Sequence, residues 1–120
     1  SDNSYVLNNY AYYLSLRNEQ LEKAEKYSKR TIDLQPNNRN YMDTYGWILF
    51  QEKRYADAEK WLSDAAKLGP KNPTILEHYG DILYKLNKPA EALIQWEAAR
   101  QAGGSSESLL KKIKEKKLND

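Results

Sequence analysis

Apolar residues recur along this chain at the spacing of helical faces. In one stretch Met42 is followed by Tyr45, Leu49 and Phe50, which lie three, seven and eight residues later. The same spacing returns between Ala58 and Leu68, so each stretch predicts an amphipathic helix with one buried face. No stretch shows the two-residue alternation of a strand. The pattern predicts an all-α fold with helices at about 4–17, 20–34, 39–52, 55–68, 73–86, 89–102 and 106–118.

The helical pattern repeats when the chain is shifted by 34 residues. Several different residue types then coincide with an identical residue: Tyr45 and Gly46 with Tyr79 and Gly80, Ala58 with Ala92, and Pro36 with Pro70. Asparagine stands before the first helix of each predicted pair, at Asn3, Asn38 and Asn72, where its side chain caps a helix well. The chain is therefore expected to be an array of helix pairs.

These repeats resemble the tetratricopeptide repeat, whose signature spreads small, aromatic and proline residues over 34 positions. The second unit carries the signature residues Met42, Tyr45, Gly46, Leu49, Tyr55, Ala58, Leu62, Ala65 and Pro70. The resemblance implies one domain over 1–120, with repeats at 4–38, 39–72 and 73–106 and a capping helix at 107–120. The implied architecture is a right-handed α-solenoid of three helix-turn-helix units plus that cap. The first unit holds one extra residue, placed in its inter-helix turn near 17–20.

Charge and composition exclude several kinds of chemistry. The 120 residues include 19 basic and 17 acidic side chains, a net charge of +2, which is too weak to favour nucleic acid. The chain has no cysteine and one histidine, His78, which excludes disulfides, thiolate zinc sites and cysteine nucleophiles. Many carboxylates pair with lysine one helical turn away, as on a solvated helix face. We therefore predict no enzyme activity, no cofactor and no metal. Separately, no run of apolar residues is long enough to form a transmembrane segment.

In tetratricopeptide arrays the first helix of each pair lines a concave groove. The matched register places eight candidate partner-binding residues there: Asn8, Tyr12, Asp43, Trp47, Phe50, Glu77, Asp81 and Tyr84. The aromatic side chains are suitable anchors and the acidic ones favour basic groups, so we predict a protein or peptide partner of basic or apolar character. Packing between neighbouring helices is the alternative role for Trp47 and Phe50.

Some relatives clamp a terminal carboxylate with lysine, asparagine and arginine side chains. The matching positions here hold Asn8, Tyr12, Thr44, Thr74 and His78, so we predict no carboxylate clamp. A helical-repeat nucleic-acid binder and a self-association module stay open as alternative functions. The lysines of the last helix are expected to face water, and its apolar residues, Leu109, Leu110 and Ile113, to cover the third unit.

The overall pattern resembles the C-terminal tetratricopeptide segments of larger bacterial proteins, which are often associated with the cell envelope. By that resemblance we expect the chain to be the last part of a longer array. A cytoplasmic location and an envelope or periplasmic location both fit the sequence.

Overall fold

The computed structural model describes residues 3–18 and 20–118. This part of the chain holds seven α-helices and no strand, which confirms the all-α prediction. The helices are α1 (Ser4–Leu16), α2 (Leu21–Leu34), α3 (Arg39–Gln51), α4 (Tyr55–Ala66), α5 (Pro73–Lys85), α6 (Pro89–Gln101) and α7 (Glu107–Glu115).

Four helices begin at a side-chain cap of the same kind. The side-chain oxygens of Asn3, Asn38, Asn72 and Ser106 each accept a hydrogen bond from the backbone N–H three residues on. These caps align α1, α3, α5 and α7, so equivalent positions can be counted from each cap. Helix α7 ends three residues before the predicted 118, because Lys116 adopts a left-handed conformation with φ of 57°.

The turns within the helix pairs differ in length. Three residues separate α3 from α4 and α5 from α6, and each turn contains one residue at positive φ, Lys53 or Asn87. Four residues separate α1 from α2, and both Asn18 and Gln20 have positive φ there. The extra residue of the first unit therefore lies in this turn, as predicted.

Within the second and third helix pairs, a glycine makes room for a large side chain. A Cβ atom at Gly80 would lie 2.5 Å from ring atoms of Trp96, and one at Gly46 would overlap the end of Leu62. In the first pair Ala11 replaces the glycine, and the equivalent position on α2 holds the small Ser28. The volume lost on one helix is thus filled by its partner, which keeps the interior dense.

The core is a chain of neighbour contacts, as expected for a solenoid. One buried cluster joins the first pair to Ile48, a second joins Ile32 through the second pair to Ile75 and Ile82, and a third joins the third pair to Leu109. Helices α1, α3 and α5 pack side by side, and their exposed side is called the first-helix face below. Three helix pairs and a capping helix form an α-solenoid measuring 43 × 29 × 24 Å.

The capping helix covers the last pair through one side only. Leu109 is 1% exposed and Ile113 is partly buried, whereas Leu110 is 45% exposed. The expectation that these residues cover the third unit is therefore confirmed for Leu109 and Ile113 and wrong for Leu110. No helix among the described residues is long and apolar enough to cross a membrane.

Candidate functional site

Three aromatic rings form a stack on the first-helix face. The Trp47 ring lies 4.7 Å from the Phe50 ring on the same helix, at an interplanar angle of 22°. The Trp47 ring also stacks on the His78 imidazole of α5, at a centroid distance of 4.0 Å and an interplanar angle of 20°. All three side chains are half-buried, so the stack joins α3 to α5 while part of it stays accessible.

His78 is held in this stack by a carboxylate. Its Nδ1 lies 2.8 Å from Oδ1 of Asp43, and the two side chains are only 14% and 13% exposed. Burial alone would lower the pKa of His78, but the charge and hydrogen bond of Asp43 outweigh it, together with the nearby Asp81 and Glu77. The pKa of His78 is raised overall, which favours the imidazolium.

A lysine of the capping helix enters the same region. Lys112 is 6% exposed, and its Nζ lies 2.6 Å from Oε2 of Glu77 and 3.1 Å from Oδ2 of Asp81. The prediction that the lysines of α7 face water is wrong for Lys112. The buried carboxylates explain the difference, because a buried charge is tolerated only beside an opposite charge.

Asp81 connects the first-helix face to the core. It is 4% exposed, and it accepts a 3.0 Å hydrogen bond from the indole Nε1 of the fully buried Trp96. Burial raises the pKa of Asp81, although Lys112 and Trp96 both act to lower it. The structure therefore places Asp81 beneath the surface, where it orients other side chains.

The two ionic contacts are copies of one another. Counted from the helix caps, Asp43 and Glu77 occupy equivalent positions, as do His78 and Lys112. In each case the cation lies 35 residues after its carboxylate and joins one first helix to the next. We call this arrangement the charge ladder, and it fastens the second unit to the third and the third unit to the cap.

The ladder has no charges between the first and second units. The equivalent positions there hold Asn8 and Thr44. Thr44 donates its hydroxyl to the carbonyl of Asn40 in its own helix. Among the described residues, the buried Oδ1 of Asn8 has no hydrogen-bond partner. At these positions α1 and α3 meet through apolar packing, with Ile48 against Ala11 and Leu14.

Five of the eight predicted groove residues form two groups, and the other three lie apart from them. Asp43, Trp47 and Phe50 come together around His78, whereas Glu77 and Asp81 come together around Lys112. Tyr84 is half-buried, with its ring 5.9 Å from that of Trp96. Asn8 and Tyr12 lie apart from these groups on α1, where Tyr12 is 38% exposed.

Sequence reasoning missed the roles of His78 and Lys112. The signal was present, because each follows a predicted acidic groove residue by 35 positions. Trp61 and Trp96 pack inside the array: Trp61 meets Tyr45 edge to face at 5.0 Å, and Trp96 is fully buried. Among the described residues, no group of three or more His, Asp or Glu side chains is arranged to hold a metal.

A second ionisable cluster lies at the turn between α3 and α4. One guanidinium nitrogen of Arg54 lies 3.1 Å from Glu25 and 3.2 Å from Glu52. Burial and the neighbouring Glu25 raise the pKa of Glu52 to about 7, although Arg54 opposes the shift. This cluster fastens α2 to the second helix pair.

Comparisons with known proteins agree with the all-α repeat fold. The family model described as anaphase-promoting complex, cyclosome, subunit 3 matches residues 17–99. No curated protein gives a significant match to the sequence. Among solved structures, YrrB, described as a TPR protein with an unusual peptide-binding site, is 22% identical with a TM-score of 0.72. The match covers 85% of this chain and 52% of YrrB, so the chain spans about half the length of that protein.

Two further structures are similar over almost the whole chain. The first TPR of Spaghetti (RPAP3), bound to the HSP90 peptide SRMEEVD, is 17% identical with a TM-score of 0.85, covering 97% of this chain and 91% of its own. The Yersinia enterocolitica type III secretion chaperone SycD, in complex with a peptide of the translocator YopD, is 21% identical with a TM-score of 0.77, covering 97% and 95%. The family match and the shared fold show that the chain belongs to the tetratricopeptide repeat family.

Proposed function

We propose that this chain is a non-catalytic interaction scaffold that binds a peptide or protein segment in the concave groove of its first helices. The observation that carries the proposal is the partly exposed stack of Trp47, Phe50 and His78. Rings held in place by stacking lose little conformational freedom when a ligand covers them, which makes them suitable anchors. Peptide binding by YrrB, RPAP3 and SycD supports the same use of this fold.

The predicted groove residues have different parts in this proposal. Trp47, Phe50 and Tyr12 supply apolar contact surface, and Tyr84 extends that surface toward the third unit. Asn8, Asp43 and Glu77 supply polar groups at the edges of the contact. Asp81 is buried and holds Trp96 and Lys112, so its part is positioning.

The charge ladder changes the expected character of the partner. His78 and Lys112 already neutralise the acidic residues that were predicted to attract basic groups. An apolar or aromatic side chain placed against Trp47 should therefore contribute more than a basic one. A basic residue remains acceptable beside Glu77, whose side chain is 21% exposed.

The test is an unbiased peptide selection. A displayed library of random 12-residue peptides is selected against the folded chain and against a Trp47→Ala, Phe50→Ala double variant. A matched control variant, Ile94→Ala, removes an equally apolar side chain that is 63% exposed on α6, outside the first helices.

We expect wild type and the Ile94→Ala variant to enrich the same peptides, rich in apolar residues, and the double variant to lose them. A synthetic copy of the best peptide should then bind the double variant at least about tenfold more weakly, the loss of one well-buried anchor. Equal enrichment by all three proteins, or enrichment of no peptide by the wild type, would contradict the proposal.

A further inference from the structure

One side of α1 carries apolar residues at positions that are buried or half-buried on α3 and α5. Counted from the helix caps, Val6, Tyr10 and Tyr13 of α1 are equivalent to residues on α3 and on α5. The equivalent residues are Tyr41, Tyr45 and Ile48 on α3, and Ile75, Tyr79 and Ile82 on α5. We call Val6, Tyr10 and Tyr13 the outer face of α1.

The exposure of these positions separates α1 from the other first helices. Val6, Tyr10 and Tyr13 are 52%, 42% and 53% exposed, whereas their counterparts on α3 are 7%, 8% and 0% exposed. On α5, Ile75 and Ile82 are 2% and 0% exposed. Contiguous exposed apolar surface of this kind marks an interaction site in a stable protein.

The internal units show what covers these positions. Ile48 of α3 lies in one buried cluster with Ala11 and Leu14 of α1 and Ala24 of α2. In the next unit, Ile75 and Ile82 of α5 lie in one cluster with residues of both α3 and α4. In both interfaces, therefore, the covering element is the preceding helix pair, and its second helix contributes small residues such as Ala24 or Ala58.

We propose that the outer face of α1 is a stacking interface for a further helix pair of the same repeat type, packed as α1–α2 packs on α3. The matching surface is the second helix of that pair, with alanine at the position of Ala24 and Ala58. This continues an interface that the chain already forms twice.

A second copy of this chain fits the outer face poorly. A copy could stack head to tail only through its own last pair, but α7 covers that end, with Leu109 1% exposed. Two outer faces meeting directly would bring like charges together, because Lys23 lies 5.6 Å from the Tyr10 ring of this face. Lys23 instead favours an incoming helix that carries carboxylates.

The experiment extends the full chain by one helix pair taken from itself. A copy of residues 39–72 is joined ahead of Ser4, so that the copied Asn72 takes the capping position of Asn3. We expect one cooperative thermal transition, with a melting temperature at least about 5 °C higher than that of the parent chain. Amide hydrogen exchange along α1 should slow by at least about tenfold.

A substitution on the outer face separates stacking from general stabilisation. Tyr13→Lys should shift the melting temperature of the parent chain little, because Tyr13 is 53% exposed, but should remove the gain in the extended chain. The control Ile94→Lys, at a residue 63% exposed on α6, should have a small effect in both chains. If the extended chain aggregates, Tyr41→Lys and Ile48→Lys are introduced in the copied segment only, which makes its new end polar. The melting temperature and hydrogen exchange are then measured in the same way.

Two separate transitions, an unchanged melting temperature, or an equal effect of Tyr13→Lys in both chains would overturn the proposal. Sedimentation of the parent chain tests the other occupant. A dimer that Tyr13→Lys dissociates would assign the outer face to a second copy and would also overturn it. Groove binding by Trp47 and Phe50 is measured separately and does not depend on this result.

Discussion

His78 of α5 bonds to Asp43 of α3 at the position where, one unit later, Lys112 bonds to Glu77. The two contacts share one geometry but differ in chemistry. An imidazole gains and loses its proton near neutrality, so the contact of His78 can change its charge. The junction between the second and third units therefore contains a titratable imidazole.

The first prediction concerns the charge of His78. Because its pKa in the folded protein is raised above 6.5, the stability that the imidazolium contributes is complete below pH 6.5 and is lost as pH rises through the folded-state pKa. NMR titration can follow it directly, since the chain has a single histidine. Asp43→Asn should lower the measured pKa of His78.

A lysine at the same position provides the control. His78→Lys gives this junction the same cation that Lys112 supplies at the cap, so the melting temperature of this variant should lose the pH dependence that His78 causes. A wild-type His78 that titrates below pH 6.5, or that is unaffected by Asp43→Asn, would show that the ladder does not stabilise the imidazolium.

The second prediction concerns the buried lysine. Lys112→Met leaves Asp81 and Glu77 without their cation, and breaking a buried ion pair from one side costs about 3 kcal/mol in the free energy of unfolding. Lys111→Met is the control, because that neighbouring side chain is exposed and should change stability by about 0.5 kcal/mol or less. Urea denaturation measures both. Equal effects of the two changes would mean that Lys112 contributes no more than a surface charge.

Much of this fold follows from the sequence, and Gly46 and Gly80 show why. Apolar spacing and capping asparagines act locally, and a glycine repeated with its alanine partners reports close helix contact. The direction of Lys112 depends instead on Glu77 and Asp81, which are distant in the chain and brought near only by packing. Leu109 is buried and Leu110 is exposed for a similar reason. The helical period alone does not decide which of two adjacent leucines faces the third pair, and the helix start at the Ser106 cap decides it.

The third prediction concerns the acidic pair beside Arg54. With the pKa of Glu52 raised to about 7, the folded state binds more protons than the unfolded state between pH 4.5 and 7. Stability therefore falls as pH rises through this range. Glu52→Gln keeps the shape without the charge, so we expect it to raise the melting temperature at pH 8 and to leave it nearly unchanged at pH 4. A variant that lowers the melting temperature at pH 8 would show that the ion pair with Arg54 outweighs burial.

The fourth prediction concerns the space beside Trp96. Gly80→Ala places a Cβ against a ring that is fully buried and bonded to Asp81, an overpacking that costs about 1–3 kcal/mol. Alanine in a helix offsets about 1 kcal/mol of this cost. A Trp96→Ala background removes the contact with the ring and leaves the Ala92 carbonyl 3.1 Å from the added Cβ, so Gly80→Ala should cost less in that variant than in the wild type. The double-mutant cycle is measured by urea denaturation, and additive effects would show that the two side chains do not compete for space.

The fifth prediction concerns ligands that end in a carboxylate. The peptide SRMEEVD, which is bound by the RPAP3 domain, should not bind here, because the positions that match the clamp of related domains hold Tyr12, Thr44 and Thr74 among others. The two cations of the charge ladder are also paired, His78 with Asp43 and Lys112 with Glu77 and Asp81. Added carboxylates would therefore meet groups that are neutralised or acidic. Calorimetric titration of the chain with this peptide should give no binding heat, and an amidated peptide serves as the control. Binding that requires the free terminal carboxylate would show that the groove forms a clamp from other side chains.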